Sequence, residues 1–435
     1  MSRFRAMQVR NPRLRSLPAV VMFLAKTFQT DPRPTQEAKT LRESGYPVFA
    51  LAWDRGPKFS NIEDVDGVVV RSFSHVRLAN ASPIGLALGA IVFQLLLVLE
   101  GIKLIGELRQ RPIIHCHDFN TLLPGCLLRV LGLSVRLVYD CHELSYSAYS
   151  ELFNSVLGGV VHAIEQKCVK YTDAVIIVSE GQNYLRKFNA TTEIVRNCPL
   201  MSSIPELSKR DARIQLGLPL NTFLVSHIGS VRYDCRLDLL LAVASLLKRE
   251  NIQFMVVGSG PLANDFWRQA QRENDLQLIL IPEVPREKAL MYVLASDITW
   301  AVYRNANRSP NTWAGMPWKF FESLACGVPV IVENGTLRAQ LVTKFECGLV
   351  LMEEDPQYVA EAIVALVKDP ARHHLMSVAA REGATLEFNW EETSRKLVSV
   401  YTRLCPGRVS APEDNYAQTE QTIGDLVTPA STSPA

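Results

Sequence analysis

The chain has 435 residues, of which 48% are hydrophobic and 21% are charged. This length predicts two or three domains with ordinary cores, and the hydrophobic fraction excludes wholesale disorder. The 46 Lys and Arg residues nearly balance the 44 Asp and Glu residues, and the formal charge of +2 gives no reason to expect general nucleic-acid binding, which usually needs a concentrated basic surface. We therefore expect no nucleic-acid partner.

The charge is unevenly distributed along the chain. Six basic residues and no acidic residue precede Asp31, whereas one basic and four acidic residues follow Cys405. The Arg-rich start and the apolar run 17–25 could indicate a signal peptide, but the run is short and has no clear cleavage site. An organellar transit peptide would also be Arg-rich and acid-poor and is an alternative. We instead predict a basic arm over residues 1–17, followed by the first buried strand.

Short apolar runs alternate with helical patterns through the first half of the chain. Their composition is typical of parallel strands covered on both faces. We predict strands at residues 20–25, 48–53, 68–73, 113–117, 137–140 and 175–179. A helical pattern at 35–44 stops before Gly45, a residue suited to ending a helix. These features predict a doubly wound, Rossmann-like α/β domain over residues 18–200.

One segment of this domain is unusually apolar. Residues 78–99 carry no charge, but the nearly continuous apolar part, 84–99, is shorter than the about 20 residues that a membrane-spanning helix needs. We predict a buried or half-buried helix of the globular domain. A helix lying on a membrane surface and a true membrane span are the alternatives.

The pattern becomes polar after Pro199 and then restarts. We predict a linker over 201–219 and a second Rossmann-like domain over 220–388. Its strands are predicted at 223–229, 254–258, 278–281, 298–303, 328–332 and 349–352. A last helical pattern covers 389–405. Residues 406–435 are rich in Pro, Ser, Thr and acidic residues without periodicity, which predicts a disordered tail.

The nine cysteines are scattered along the chain, and none forms a C-x-x-C pair. Zinc and redox motifs of that kind are therefore absent from the sequence. Most of the cysteines lie in apolar stretches, where a free cysteine is a small core residue. This usage favours a reducing compartment, and we expect a cytoplasmic location.

A glycine-rich turn follows the second predicted strand of the second domain. Gly258, Gly260 and Ala263 fit the G-x-G-x-x-A dinucleotide pattern, and Glu283 lies about 20 residues further on. However, the motif is far from the start of the chain, and an ordinary strand-to-helix turn needs the same glycines. We therefore do not expect a dinucleotide cofactor.

The segment 314–333, AGMPWKFFESLACGVPVIVE, predicts a helix that begins at Pro317. Lys319 and Glu322 are three residues apart, so they share one face near the start of this helix. Free N–H groups there favour an anion, which predicts a diphosphate on the turn at Gly315 and Met316 and sugar hydroxyls on Glu322. A solvated Lys–Glu pair without a ligand is the alternative.

In order and spacing, these motifs resemble the family-4 retaining glycosyltransferases, which have the GT-B fold. F-E-S-L-A-C-G-V-P-V-I is similar to the family's donor-nucleotide motif, and 257–261 is similar to its V-G-S-G-P turn. The first domain supplies further matches at 31–48, 115–118, 139–143 and 196–199. The resemblance covers about residues 18–404.

The resemblance implies that a sugar moves from a nucleotide-diphosphate sugar to an acceptor hydroxyl with retention, in glycan or glycolipid biosynthesis. It implies a nucleotide sugar as co-substrate, with no cofactor and no metal ion. The implied catalytic residues are His142, Glu143, Arg232 and Lys319. The implied donor-binding residues are Gly229, Arg236, Gly258, Gly260, Gly315, Met316 and Glu322, and His117 and Asp118 are implied on the acceptor side. The diphosphate is expected on Arg232 or Arg236.

Two positions depart from the family pattern. The family places a first Glu eight positions before Glu322, where this chain has Ala314, and a Lys at about the position of Cys235. A non-catalytic GT-B subunit that binds a sugar nucleotide or a partner transferase is therefore an alternative. A GT-B sugar-nucleotide epimerase is another.

Two hypotheses concern ligands beyond the donor. His115, His117 and Asp118 end one strand and could suggest a metal site, but the resemblance implies a metal-independent enzyme. The basic arm and the apolar helix predict peripheral contact with anionic lipid at the inner face of a membrane, opposite a sugar or lipid-linked sugar acceptor.

Overall fold

The computed structural model describes residues 17–53, 60–73, 83–134, 136–189, 191–272, 278–304 and 310–406. Nearly all of the predicted arm and tail lie outside these residues. The described chain forms two separate sheets flanked by helices, as the alternation of apolar runs and helical patterns predicts.

The first sheet has eight strands in the order β3-β4-β2-β1-β5-β6-β7-β8, and only the β3–β4 pair is antiparallel. These strands are β1 (Val20–Leu24), β2 (Val48–Trp53), β3 (Ser60–Val65), β4 (Val68–Phe73), β5 (Ile113–His117), β6 (Arg136–Cys141), β7 (Ala174–Ile177) and β8 (Thr192–Ile194). The sequence did not predict β3 and β8. Neither contains an apolar run, because β3 is a polar edge strand and β8 has only three residues.

Helices cover both faces of the first sheet. They are α1 (Pro32–Glu43), α2 (Pro83–Leu108), α3 (Phe119–Val130), α4 (Ser145–Leu152) and α5 (Ser155–Val169), together with the 3-10 helices Phe28–Thr30 and Glu180–Lys187. On one face, Phe93 and Leu97 of α2 pack with Leu122 of α3 against Phe23 of β1. The other face is covered by α1 and by a helix from the C-terminus of the chain.

The second sheet has six parallel strands in the order β11-β10-β9-β12-β13-β14. They are β9 (Phe223–Ile228), β10 (Ile252–Val257), β11 (Leu278–Ile281), β12 (Ile298–Trp300), β13 (Val330–Glu333) and β14 (Gly348–Leu351). The helices of this half are α6 (Lys209–Leu216), α7 (Leu237–Leu246), α8 (Ala263–Arg272), α9 (Arg286–Leu294), α10 (Pro310–Ala314), α11 (Trp318–Ala325), α12 (Leu337–Phe345), α13 (Pro356–Val367) and α14 (Pro370–Leu386), and a 3-10 turn lies at Tyr233–Cys235.

The segment expected to be a linker, 201–219, is more ordered than its polar composition suggested. It contains a 3-10 turn at Met201–Ser203 and the helix α6. Arg213 of α6 donates a hydrogen bond to the carbonyl oxygen of Ala295 and pairs with Asp297 at 2.6 Å. Many of the polar residues in the segment 201–219 thus belong to a short helix that packs beside the second sheet.

The last helix, α15 (Trp390–Leu404), returns from the second half of the chain to the first sheet. Leu397, Val400 and Tyr401 are fully buried in the first core. The indole nitrogen of Trp390 donates a hydrogen bond to Thr40 of α1 at 3.0 Å. The two halves of the chain are therefore joined twice, at the crossover near residue 200 and by α15.

The apolar helix α2 is half-buried, as expected. Within the described residues, its part Gly89–Leu108 is the one stretch that is long and apolar enough to cross a membrane by length and composition. Phe93, Leu97 and Leu104 on its inner side belong to the core of the domain. Arg71 of β4 also pairs with Glu100 and Glu107, so α2 is fixed to the edge of the first sheet.

Candidate functional site

The first part of the candidate site lies where β5 and β6 end. Because neighbouring parallel strands place their carboxyl ends at one edge, His117 and Asp118 lie beside Asp140 and His142. His142 Nε2 is 2.8 Å from Asp140 Oδ2, and the His142 backbone N–H donates to Asp118 Oδ1. Burial disfavours a charged ring, but Asp118 and Asp140 outweigh it and raise the pKa of His142 to about 9. His142 is therefore an imidazolium at neutral pH.

A buried arginine holds the carboxylate below His142. Arg33 donates two hydrogen bonds to Asp140, at 2.9 and 2.7 Å, and a third to the carbonyl oxygen of Val195. Its Nη2 also lies 3.1 Å from Glu37. Burial would raise the pKa of Asp140, but Arg33 and His142 hold it well below its usual range. The sequence pointed to Arg33 only as part of a family motif.

His117, which was expected on the acceptor side, is packed against His142. Its side chain is buried, and its Nδ1 lies 3.1 Å from His142 Nε2 and 3.2 Å from Asp140. The ring stacks on His115, whose Nδ1 is 2.8 Å from the Tyr401 hydroxyl. His117 thus supports His142 from inside the domain and does not face the surface.

Asp118 occupies a partly exposed and strained position at the same edge. Its φ of 63° is unusual for a residue other than glycine, and such strain is frequent at functional sites. Its side chain is partly exposed beside His142. Glu143 follows His142 and is exposed. These positions agree with an edge that meets a substrate.

Four buried side chains could in principle hold a metal ion. Ligand atoms of Glu37, His115, His117 and Asp140 lie within 4.8 Å of one another. However, the Arg33 guanidinium already contacts both carboxylates, so a divalent ion would lie beside a fixed positive charge. This set therefore suits an arginine better than a metal ion, and metal independence stays a prediction.

Lys319 forms the second part of the candidate site. It lies in the first turn of α11, and Lys319 Nζ is 3.4 Å from His227 Nε2. Burial and this ammonium group lower the pKa of His227 to about 3, so the ring is neutral. Among the described residues, no carboxylate lies within ion-pair distance of Lys319. Its charge is thus available to an anion at the turn after β9, where a Cβ on Gly229 would be 3.5 Å from Nζ.

The structure distinguishes the two candidate diphosphate arginines. Arg236 pairs with Glu354 and lies 3.3 Å from Asp238. Arg232 is about half exposed and is held by Asp234 at 2.7 Å. Its charge also opposes the rise that desolvation causes in the pKa of Glu143 in the first domain. Both arginines are therefore paired with carboxylates, and Arg232 is the more exposed of the two, with 54% of its side chain accessible against 15% for Arg236.

Cys235, at the position of the expected lysine, is structural in this arrangement. Its side chain is buried, and the thiol faces the carbonyl oxygen of Ser230 at 3.4 Å. The Cys235 thiol therefore packs inside the loop that carries Arg232 and is not accessible to a ligand.

Glu322 has a partner that the sequence did not reveal. Arg286, at the start of α9, approaches Glu322 Oε1 at 3.0 Å and lies 5.0 Å from the ring centroid of Trp318. Burial raises the pKa of Glu322, and Arg286 opposes this rise. The solvated Lys319–Glu322 pair is therefore wrong. No local pattern marked Arg286, because it is 36 residues away from Glu322.

Gly258 and Gly260 permit a close approach between two loops. Both have positive φ, and a Cβ on either would clash with the carbonyl oxygen of Gly229 or Val231. The two glycines therefore allow the loop after β10 to pack directly against the turn after β9. The structure thus gives both glycines a role in loop packing, and their donor-binding role stays a prediction.

The turn before α11 rests on the first domain. Ser179 donates a hydrogen bond to the carbonyl oxygen of Ala314, and Asn197 donates one to that of Met316. Met316 is buried, and the carbonyl oxygen of Gly315 accepts a hydrogen bond from Arg338. Ala314, at the position of the family's first Glu, is buried against Gly181. That position is closed in this arrangement.

Two family models match the chain and together cover more than three quarters of it. The model of the glycosyl transferase 4-like domain matches residues 32–189, and that of glycosyl transferases group 1 matches residues 208–383. D-inositol 3-phosphate glycosyltransferase of Corynebacterium diphtheriae is 26% identical over 329 residues, which are 70% of this chain and 74% of that protein.

Solved structures with the same fold include two glycosyltransferase-like proteins of low sequence identity. Sucrose-phosphate synthase from Thermosynechococcus elongatus has a TM-score of 0.70 at 19% identity, over 89% of this chain and 99% of that chain. Anabaena HepE, in complex with UDP and glucose, has a TM-score of 0.65 at 13% identity, over 88% of this chain and all of that chain. With two Rossmann-like sheets and both family domains in order, this chain belongs to the family-4 glycosyltransferases of the GT-B fold and is a glycosyltransferase.

Proposed function

We propose that this enzyme transfers a sugar from a nucleotide-diphosphate sugar to an acceptor hydroxyl with retention at the anomeric carbon. The observation that carries the proposal is Lys319, which lies at the start of α11 beside Gly229 without a carboxylate partner in the described part of the chain. A helix start and an available ammonium group together suit a diphosphate. The complex of Anabaena HepE with UDP and glucose supports the same class of donor.

The second domain supplies charge for the leaving group. As the bond to the sugar breaks, negative charge grows on the diphosphate, and Lys319 and Arg232 stabilise it. Arg232 is a guanidinium, so it can bind phosphate oxygens through two N–H groups. Glu322, oriented by Arg286, accepts hydrogen bonds from the hydroxyls of the nucleotide sugar. No step of this proposal needs a metal ion or cofactor.

The first domain supplies the surface on which acceptor and donor sugar meet. His142 cannot serve as a general base while it is protonated, so we assign it a fixed positive charge and a hydrogen-bond donor. Its Nε2 is engaged by Asp140, whereas Nδ1 lies 3.6 Å from Asp118, too far for a good hydrogen bond. The Nδ1–H group can therefore donate to a sugar oxygen. We propose attack by the acceptor on the face that the diphosphate leaves, without a covalent intermediate.

The donor assignment is tested by thermal shift with UDP-, GDP-, ADP- and dTDP-sugars. We expect at least one of them to raise the melting temperature of the wild type, and Lys319→Ala and Glu322→Gln to lose that rise. Lys344→Ala is the matched control, because Lys344 is exposed on α12 of the same domain and pairs with Glu387. No response of the wild type to any of these donors would contradict the assignment.

Retention is tested separately on the product. With the donor identified, proton NMR of the first product formed gives the anomeric configuration before any equilibration. A product with the same configuration as the donor supports the proposal, and an inverted product overturns the retaining mechanism.

A further inference from the structure

Helix α2 presents an unusual apolar stripe to solvent. Ile91, Leu95 and Leu99 are each more than half exposed, at 56, 59 and 62%. Their spacing of four residues places them on one side of the helix, opposite the buried Phe93 and Leu97. Ile102 continues the stripe at the next turn. The outward side of α2 from residue 91 to 102 therefore carries no charged residue.

The neighbouring helices also expose apolar side chains. Helix α3 packs beside α2, and α5 packs beside α3, on the same face of the first sheet. At the end of α3, Val130 is 71% exposed, and at the start of α5, Val156 is 75% exposed, with Val160 one turn further on. Single exposed apolar residues are ordinary, but exposed apolar side chains on three adjacent helices of one sheet face together suit an interaction surface. We call it the three-helix face.

Basic side chains border one end of the three-helix face. Lys103 and Arg109 are exposed at the end of α2, and Lys167 and Lys170 are exposed at the end of α5. Both helices lead directly into strands, β5 and β7, so these ends share the amino edge of the sheet. The basic residues of this border therefore come from the ends of two helices, α2 and α5.

Lys103 of this border pairs with Glu100 of α2 at 3.8 Å, and two other nearby acidic residues are engaged by arginines outside the border. Glu107 pairs with Arg71 at 2.7 Å, and Asp173 pairs with Arg129 at 3.1 Å. A second copy of the chain on the same face would thus meet another basic border with its acidic groups already engaged. An anionic surface with an apolar interior complements both the charge and the stripe.

We propose that the three-helix face lies on the surface of an anionic lipid bilayer. The apolar side chains of α2, α3 and α5 enter the boundary between headgroups and acyl chains, and the lysines contact the headgroups. The helix does not span the bilayer, because its inner side is the core of the first domain.

This placement deepens the proposed function by indicating the acceptor class. Helix α2 ends before β5 begins, so its start lies toward the carboxyl edge of the sheet, where His142 is located. A bilayer along the face brings headgroups close to the mouth of the cleft. The assignment of a lipid-linked hydroxyl compound as the acceptor rests on the proposed transferase reaction. The contact of the three-helix face with lipid does not depend on that reaction.

The test is flotation of the full chain with vesicles of phosphatidylcholine alone and of phosphatidylcholine mixed with phosphatidylglycerol. We expect the wild type to float with the anionic vesicles. The double variant Leu95→Gln and Leu99→Gln should bind them roughly tenfold or more weakly, because two exposed apolar side chains are lost from the contact. Glutamine keeps the helix propensity and adds no charge that would repel the vesicles.

The matched control is Leu375→Gln together with Leu386→Gln on α14, where the two leucines are exposed to a similar extent in the second domain. The control should float like the wild type, and Lys167→Gln with Lys170→Gln should weaken binding most at low salt. Equal flotation of the α2 variant and the wild type, or no flotation of the wild type, would overturn the proposal. If the wild type does not float but sediments as a dimer, and the α2 variant sediments as a monomer, the three-helix face binds a second copy of the chain and not lipid.

Donor-induced thermal shift of the α2 variant separates this inference from the transferase proposal. The donor site is in the other domain, so the shift should equal that of the wild type. Loss of flotation with an unchanged donor response supports the lipid surface by itself.

Discussion

At the scale of single residues, the central feature is a buried chain of charges beneath the cleft. Arg33 holds Asp140 in a bidentate pair, and Asp140 in turn holds the imidazolium of His142. Each of these charges has a partner of opposite sign, so removing one of them leaves another buried charge without its partner. Arg33 is thus a positioning residue for His142, although it lies more than 100 residues away in the sequence.

The first prediction is that Asp140→Asn is strongly destabilising. The change removes the carboxylate that binds both the buried Arg33 guanidinium and His142, which we expect to cost about 3–5 kcal/mol in the free energy of unfolding. Asp173→Asn is the control, since Asp173 pairs with two partly exposed arginines, and surface pairs contribute about 1 kcal/mol or less. Urea unfolding measures both variants. Equal costs would contradict the role assigned to the Arg33–Asp140 pair.

The second prediction concerns pH. Folding raises the pKa of His142 from about 6.5 to about 9, so its stabilising contribution is fully present below pH 6.5 and is lost as the pH rises to about 9. The loss is on the order of 3 kcal/mol. The difference in unfolding free energy between wild type and His142→Gln should shrink over this pH window. A difference independent of pH would show that the ring is neutral in the folded protein.

The residues predicted from the sequence were those at strand ends. His142, Asp118 and Lys319 follow apolar runs or begin a helix, and both patterns are local. Arg286 was missed because its pairing with Glu322 arises only when α9 packs beside α11. The acceptor-side position of His117 was implied by the family resemblance, and no local pattern indicated that its side chain is buried.

At the scale of elements, α10 is the contact between the two halves beside the cleft. Asn311 accepts a hydrogen bond from the backbone of Leu144 at 2.7 Å, and Ala314 packs on Gly181 of the 3-10 helix Glu180–Lys187. The family's first Glu could not be seated at Ala314 in this packing. Ala314, at the position of the family's first Glu, and Gly181 therefore belong to the same contact between the two halves.

The third prediction tests that contact. A Cβ added at Gly181 would clash with the Cβ of Ala314, so Gly181→Ala should destabilise the chain by about 1–3 kcal/mol or open the contact. Adding Ala314→Gly should restore most of the loss, because it removes the clashing atom. Thermal unfolding of the single and double variants measures the coupling. An Ala314→Gly change that fails to rescue Gly181→Ala would contradict the packing.

Most strands of both sheets were predicted to within a few residues because parallel strands buried on both faces read as continuous apolar runs. The helix α6 was taken for linker because its eight residues are mainly polar and bury little surface. Its role depends on Arg213, which reaches Asp297 across a gap of 84 residues. Such pairings carry no signal in a local pattern.

At the scale of the whole molecule, chain order and domain membership do not coincide. Helix α15 comes last in the chain, yet it covers the first sheet, where Tyr401 contacts His115 beneath the cleft. The C-terminus is thus part of the support for His142. A fragment that ends after the second sheet would leave the core beside α1 uncovered.

The fourth prediction follows from this crossing. Leu397→Ala removes a fully buried side chain from the first core, which should cost about 2–5 kcal/mol. Leu386→Ala is the control, because Leu386 is exposed at the end of α14. Hydrogen exchange should locate the loss of protection in β1 and β5 of the first sheet. Loss confined to the second sheet would contradict the assignment of α15.

The measurement that tests the central claim most directly is release of nucleoside diphosphate from the donor that stabilises the wild type. We predict release by the wild type and a fall of kcat/KM by about 100-fold or more in Lys319→Ala, because a charge on the leaving diphosphate is no longer stabilised. The Lys344→Ala control should keep the wild-type rate. Unchanged release by Lys319→Ala, or a wild type that binds the donor and releases no nucleoside diphosphate with any acceptor, would contradict the claim.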